Sequence, residues 1–96
     1  MLFNKFKKFD NSWLLDAALS QFPQDNVLHE AIKNCNRIMN GCYFVDPKKP
    51  NEPGSEWQFE KSVTLEDTPH GDIVLDILKD GRVGSIEYLD EVLGRK

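Results

Sequence analysis

No stretch of this sequence approaches the roughly 20 consecutive apolar residues of a membrane span. Its first ten residues set Lys5, Lys7 and Lys8 among Phe3, Phe6 and Phe9, without the continuous apolar run or small-residue cleavage site of a secretory leader. Both absences point to a cytoplasmic protein. Cysteine and histidine are scarce, two of each in 96 residues. Cys35 and Cys42 lack the neighbouring Cys or His ligands of a zinc site and read as small apolar residues, although one on a helix and one opening a strand permits a disulfide. Gly81 and Gly84 stand outside any Gly-Lys-Ser/Thr phosphate loop. Basic runs are short: Lys5, Lys7, Lys8 and the pair Lys48-Lys49 are far apart and opposed by an acidic C-terminal half, which argues against a nucleic-acid partner. Three phenylalanines near the start are too small an apolar face for a membrane-surface helix.

Catalytic constellations are equally thin. His70 beside Asp72 would suit a base and its orienting carboxylate, but it sits in a Pro-Gly turn with no nucleophile nearby and reads as an exposed turn residue. His29 falls on the solvent-facing side of the second helix. Asp72, Asp76 and Asp80 recur at four-residue spacing, which would stack them on a helix, and they lack the glycine and terminal glutamate of a calcium loop. The expectation is a protein without enzymatic activity, cofactor or metal.

What is present is a length suited to one domain, a helical half at 1–41 and a sheet half at 42–96, with a mobile loop at 46–55. Asn11 or Ser12 is the N-cap of a helix carrying Leu14, Leu15, Ala18, Leu19 and Phe22, and Pro23 stops it. A second helix is predicted from Asp25 or Asn26 to Asn40, because Leu28, Ala31, Ile32, Cys35, Ile38 and Met39 recur at three- and four-residue spacing and Asn40-Gly41 supplies a left-handed cap. Cys42-Tyr-Phe-Val45 is a short β-prone run, followed by a loop with three prolines in ten residues.

From Glu56 the period becomes two. Trp57, Phe59, Lys61, Val63 and Leu65 share one face, with Lys61 the one mismatch. Ile73, Leu75 and Ile77 alternate with Val74, Asp76 and Leu78, a strand apolar on both sides and therefore central. Lys79-Asp80-Gly81-Arg82 turns the chain into a segment with two readings: a strand through Tyr88 and then one helical turn, which is favoured, or a helix capped by Ser85 and carrying Ile86, Leu89, Val92 and Leu93. The expected fold is α+β, with two N-terminal helices packed on a three- or four-stranded antiparallel sheet. Its expected core is Leu14, Ala18, Phe22, Leu28, Ile32, Cys35, Ile38, Met39, Phe44, Trp57, Phe59, Val63, Ile73, Leu75, Ile77 and Ile86.

The segment Ile73–Leu89 resembles the closing hairpin of a group of small bacterial domains: an apolar strand, an acidic residue, Asp-Gly, and a second apolar strand. Asp76, Asp80, Gly81, Ile86, Glu87 and Leu89 carry the likeness, with Gly84 one place earlier than in that pattern. In size, acidity and lack of catalytic motifs the chain is similar to immunity proteins of bacterial toxin systems, including contact-dependent inhibition.

Charge supports the same class of function. Residues 1–54 hold seven Lys/Arg against six Asp/Glu, while residues 55–96 hold five against ten. An acidic half favours cationic partners and repels phosphate. The expected function is therefore an immunity or antitoxin-like protein that covers a basic toxin, plausibly a nuclease. The candidate contact residues are Glu66, Asp67, Asp72, Asp76, Asp80, Glu87, Asp90 and Glu91, with Trp57 as an aromatic anchor. The alternative is a non-catalytic interaction or regulatory domain, joined as a homodimer through a sheet edge.

Overall fold

A computed structural model of the chain describes residues 6–94. The elements run β1 (Phe6–Lys8), α1 (Ser12–Gln21), α2 (Asn26–Lys33), β2 (Arg37–Met39), β3 (Phe59–Thr68), β4 (Gly71–Leu78), β5 (Val83–Tyr88) and α3 (Leu89–Val92). The fold is α+β, with antiparallel sheets of two strands, β1-β2, and three, β3-β4-β5. β4 is central, as its two-sided apolar pattern predicts, and the final strand does give way to one helical turn after Tyr88.

α1 starts where Asp10 accepts hydrogen bonds from the Ser12 backbone at 3.1 Å and its hydroxyl at 2.7 Å, which hold the Asp10 carboxyl below its ordinary range. Asn11 occupies the N-cap position, but its side-chain amide donates to the carbonyls of Ile32 and Lys33 at 2.9 and 3.3 Å. Both carbonyls belong to the end of α2, where the Ile32 carbonyl also accepts from the Cys35 N–H at 2.9 Å, so one amide ties two helix ends together. α2 itself is capped by Asp25, whose carboxylate accepts from the Leu28 N–H at 3.0 Å.

α2 stops at Lys33, seven residues short of the predicted end. Arg37–Met39 instead forms β2 against β1, with Phe6 opposite Met39, Lys7 opposite Ile38 and Lys8 opposite Arg37. The apolar spacing of Cys35, Ile38 and Met39 fits a helix, yet strand pairing with a segment thirty residues earlier prevails. Asn40-Gly41, at φ 54° and 74°, turns β2 back on itself and does not cap a helix. The run Cys42-Tyr-Phe-Val45 is a strand only at one position. Tyr43 bridges Met39 on one side and Ser85 on the other, and Phe44 N donates to Gly84 O at 2.8 Å. This narrow bridge covers the outer edge of β5.

The core lies between the helices and the face of the sheet bearing Leu65, Ile73, Leu75, Ile77, Val83 and Ile86, all buried with Leu14, Ala18, Leu28, Ile32 and Cys35. Three expectations about it need correction. Phe22 is exposed, because the chain leaves α1 there and turns away from the sheet. Phe59 is exposed because a register shift separates it from Lys61: Phe59 faces Leu78, whereas Lys61 faces Ile77. Phe59 therefore lies on the face opposite Val63 and Leu65, and the single face predicted from Trp57 to Leu65 is divided by a bulge. His29 is buried, with Nε2 2.8 Å from the Phe22 carbonyl. A carbonyl only accepts, so Nε2 carries the proton and joins the Asp25 N–H, at 3.1 Å, on the carbonyl that follows α1.

Cys35 is buried with its thiol 3.3 Å from the Ala31 carbonyl, and burial pushes its pKa up to about 12. Cys42 is half-buried, and both cysteines are free. Phe9 packs edge-on to Trp13 and Phe44 at 6.1 and 5.1 Å between ring centroids, so this part of the start joins the body of the protein. Phe3 and Lys5 lie outside the described residues. No helix of the described residues is long and apolar enough to cross a membrane.

Candidate functional site

The second face of the three-stranded sheet is built by strand alternation. Because Ile73, Leu75 and Ile77 point to the core, Asp72, Val74 and Asp76 project the other way, joined by Ser62 and Thr64 from β3 and Glu87 from β5. Asp76 lies opposite Ser85, and Glu87 opposite Val74, which makes the two carboxylates diagonal neighbours. The Ser85 hydroxyl donates to Asp76 Oδ2 in a short hydrogen bond. Glu87 is hydrogen-bonded to Asp76, and this contact, followed by partial burial and the Asp76 charge, raises its pKa above the ordinary glutamate value. Burial and Glu87 together also raise the Cys42 thiol.

One end of this face is closed. A Cβ at Gly84 would overlap both the Trp57 ring and Leu78, so only glycine lets the indole lie on the strand. Tyr43 meets the same indole edge-on at 5.7 Å. Trp57 is thus half-buried as a lid over Leu78, with two of its sides taken up internally.

The remaining candidates fall into two groups at opposite ends of the hairpins. At the β3–β4 turn, a second register shift leaves Asp67 with φ 53° and Glu66 outside the ladder. The Gln21 side chain takes over there: its amide donates to Glu66 O at 2.6 Å and its oxygen accepts from Glu66 N at 2.9 Å. Asp72 accepts from the Asp67 N–H at 2.9 Å, and the Asp90 carboxylate lies directly over Gly71. Glu91 is exposed in α3 beside it and helps raise the half-buried Tyr88 phenol, after burial itself. At the other end, Asp80 is bound by Arg82 through Nε at 2.9 Å and the terminal nitrogen at 2.8 Å, which lowers its pKa. Arg82 also reaches Glu56 at 3.3 Å. Asp80 is therefore neutralised within the chain and stands apart from Asp76.

The four-residue spacing of Asp72 and Asp76 consequently places them on one strand face, two pleats apart, while Asp80 leaves the strand for the turn. In the sequence Ser85 reads as a helix cap, not as a partner of Asp76. Counting out from the Lys79–Arg82 turn sets it opposite Asp76, and the ladder agrees there, although Val83 rather than Gly84 lies opposite Ile77.

His70 is exposed as expected, with its ring 4.4 Å from Trp13 and 6.1 Å from Tyr88. Among the described residues no group of three or more His, Cys, Asp or Glu side chains is disposed to hold a metal. On the core side, a cleft of about 290 Å³ opens between α2 and the hairpin, lined by Val27, Leu28, Lys61, Val63, Ile77 and Lys79 among others. No protein-family model matches this sequence, no curated protein matches it, and no solved structure matches its fold.

Proposed function

We propose that this chain is a non-catalytic, immunity-type protein that binds a cationic bacterial toxin domain through the open face of its three-stranded sheet. The observation that carries this reading is the Asp76–Glu87 pair. Two carboxylates are held within hydrogen-bonding contact on a rigid sheet, and Glu87 has its pKa raised in consequence. Neither makes an ion pair among the described residues, whose salt bridges are Lys33–Glu30, Arg82–Glu56 and Arg82–Asp80. Lys61 belongs to the opposite face, and Lys79 and Arg82 lie at the turn.

An arginine or lysine from a partner relieves that repulsion directly. It would gain two charge-assisted hydrogen bonds where the free protein holds a crowded negative charge. Asp72 extends the acidic strip toward Glu66, Asp67, Asp90 and Glu91, which adds long-range attraction and speeds encounter.

The test is capture from a lysate of the source cells, with the wild-type chain and the Asp76→Lys/Glu87→Lys double variant as baits. The expected result is one near-stoichiometric basic protein on the wild type, released by salt and missing from the variant. Equal recovery on both baits, or a partner held independently of salt, overturns the reading.

A further inference from the structure

A different surface carries a separate inference, which stands whether or not the acidic face binds a partner. β3 pairs only with β4, so its outer side is a sheet edge. That edge is closed at both ends by side-chain amides. Asn51 accepts from the Phe59 N–H at 2.9 Å, and Gln21 holds both the N–H and the C=O of Glu66. In an antiparallel strand the outward groups belong to alternate residues, so outward groups at Glu66 place those of Thr64 and Ser62 on the same side. Among the described residues nothing bonds them. Along the regular ladder from Lys61 to Leu65, two donors and two acceptors remain open, centred on Val63.

We propose that this edge pairs with the same edge of a second copy of this chain, antiparallel, about a two-fold axis through Val63. The register is dictated by the open groups: Ser62 of one copy faces Thr64 of the other, and each exchanges both its bonds, so the four groups of each copy are all satisfied. A shift of two residues sets only Ser62 opposite Ser62, or only Thr64 opposite Thr64, and leaves the other open residue facing Glu60 or Glu66. The axis sets the two Val63 side chains opposite each other in a non-hydrogen-bonded pair, where cross-strand side chains approach most closely.

The surroundings of Val63 fit a second copy. Val63 is only partly buried and lines the cleft with Val27, which is 72 % exposed, and with the stem of Lys61. Doubling this edge brings two such apolar patches together across the axis. The contact is isologous and uses up the edge, so it closes at two copies and does not propagate.

The experiment is sedimentation of the full chain over a concentration series, beside Thr64→Pro. That substitution removes an outward N–H that makes no bond within the chain. Wild type should rise from 11.1 kDa to twice that mass with concentration, and Thr64→Pro should stay at the monomer mass. Should the proline disturb folding, the Val63→Cys variant in a Cys42→Ser background decides the matter: oxidation should give a covalent dimer, and Glu60→Cys in the same background should not. A wild-type chain monomeric at every concentration overturns the proposal, as does cross-linking that is absent at position 63 or equal at positions 60 and 63.

Discussion

Glu87 shows how one side chain couples fold and surface. Its neighbour Asp76 accepts from Ser85, and the Glu87 pKa is raised mainly by the hydrogen-bonding contact between the two carboxyls. A carboxyl that holds its proton more strongly folded than unfolded stabilises the fold below the ordinary glutamate pKa. That contribution is lost as pH rises through the raised folded value. The wild-type urea midpoint should therefore fall over the window just above the ordinary glutamate range, and Glu87→Gln should flatten this part of the profile. At neutral pH the variant should be the more stable of the two, because it removes one of two crowded charges. A parallel fall in both proteins would assign the effect to another group.

At the scale of elements, two one-residue irregularities in β3 decide which side chains reach the core. The alternation from Trp57 to Leu65 correctly announces a strand, but alternation cannot register an inserted residue, and the bulge at Glu60 rotates everything before it by half a pleat. The second irregularity expels the Glu66 backbone from the ladder, and Gln21 at the end of α1 repairs it. Gln21→Ala should cost about 1 kcal/mol, the net worth of such exposed hydrogen bonds, read as a lower urea midpoint with faster exchange of the Glu66 amide. Unchanged exchange there would mean that water replaces Gln21 without loss. Helix α2 has the same moral from the other direction. Leu28, Ala31 and Ile32 have helical spacing and are helical, while Ile38 and Met39 have it and are a strand, because β1 supplies a partner that local spacing does not reveal. His29 was misplaced for a related reason. Its burial depends on the carbonyl of Phe22 across the α1–α2 corner, which lies beyond the helical wheel.

For the whole molecule, the order of helices and sheet and the central position of β4 were legible, since each rests on a local apolar period bounded by turn residues, whereas residues 85–93 fit a strand and a helix alike until pairing with β4 decides for β5. The acidic half was legible as composition, but its arrangement was not. Asp76 and Glu87 come together, Asp80 is neutralised by Arg82, and Asp67, Asp72 and Asp90 gather at the far turn only once the hairpin registers are known. The burial of Cys35 has one more consequence, a kinetic one. With its pKa pushed up to about 12 and its sulfur enclosed, this thiol has almost no reactive thiolate at neutral pH, whereas Cys42 is half-exposed. A thiol reagent should therefore label the folded chain in two separate phases, Cys42 first and Cys35 only as fast as the end of α2 parts from the sheet. Single-phase labelling of both would deny that separation. The chain thus carries its own clock, in which the slow phase counts openings of the core one molecule at a time.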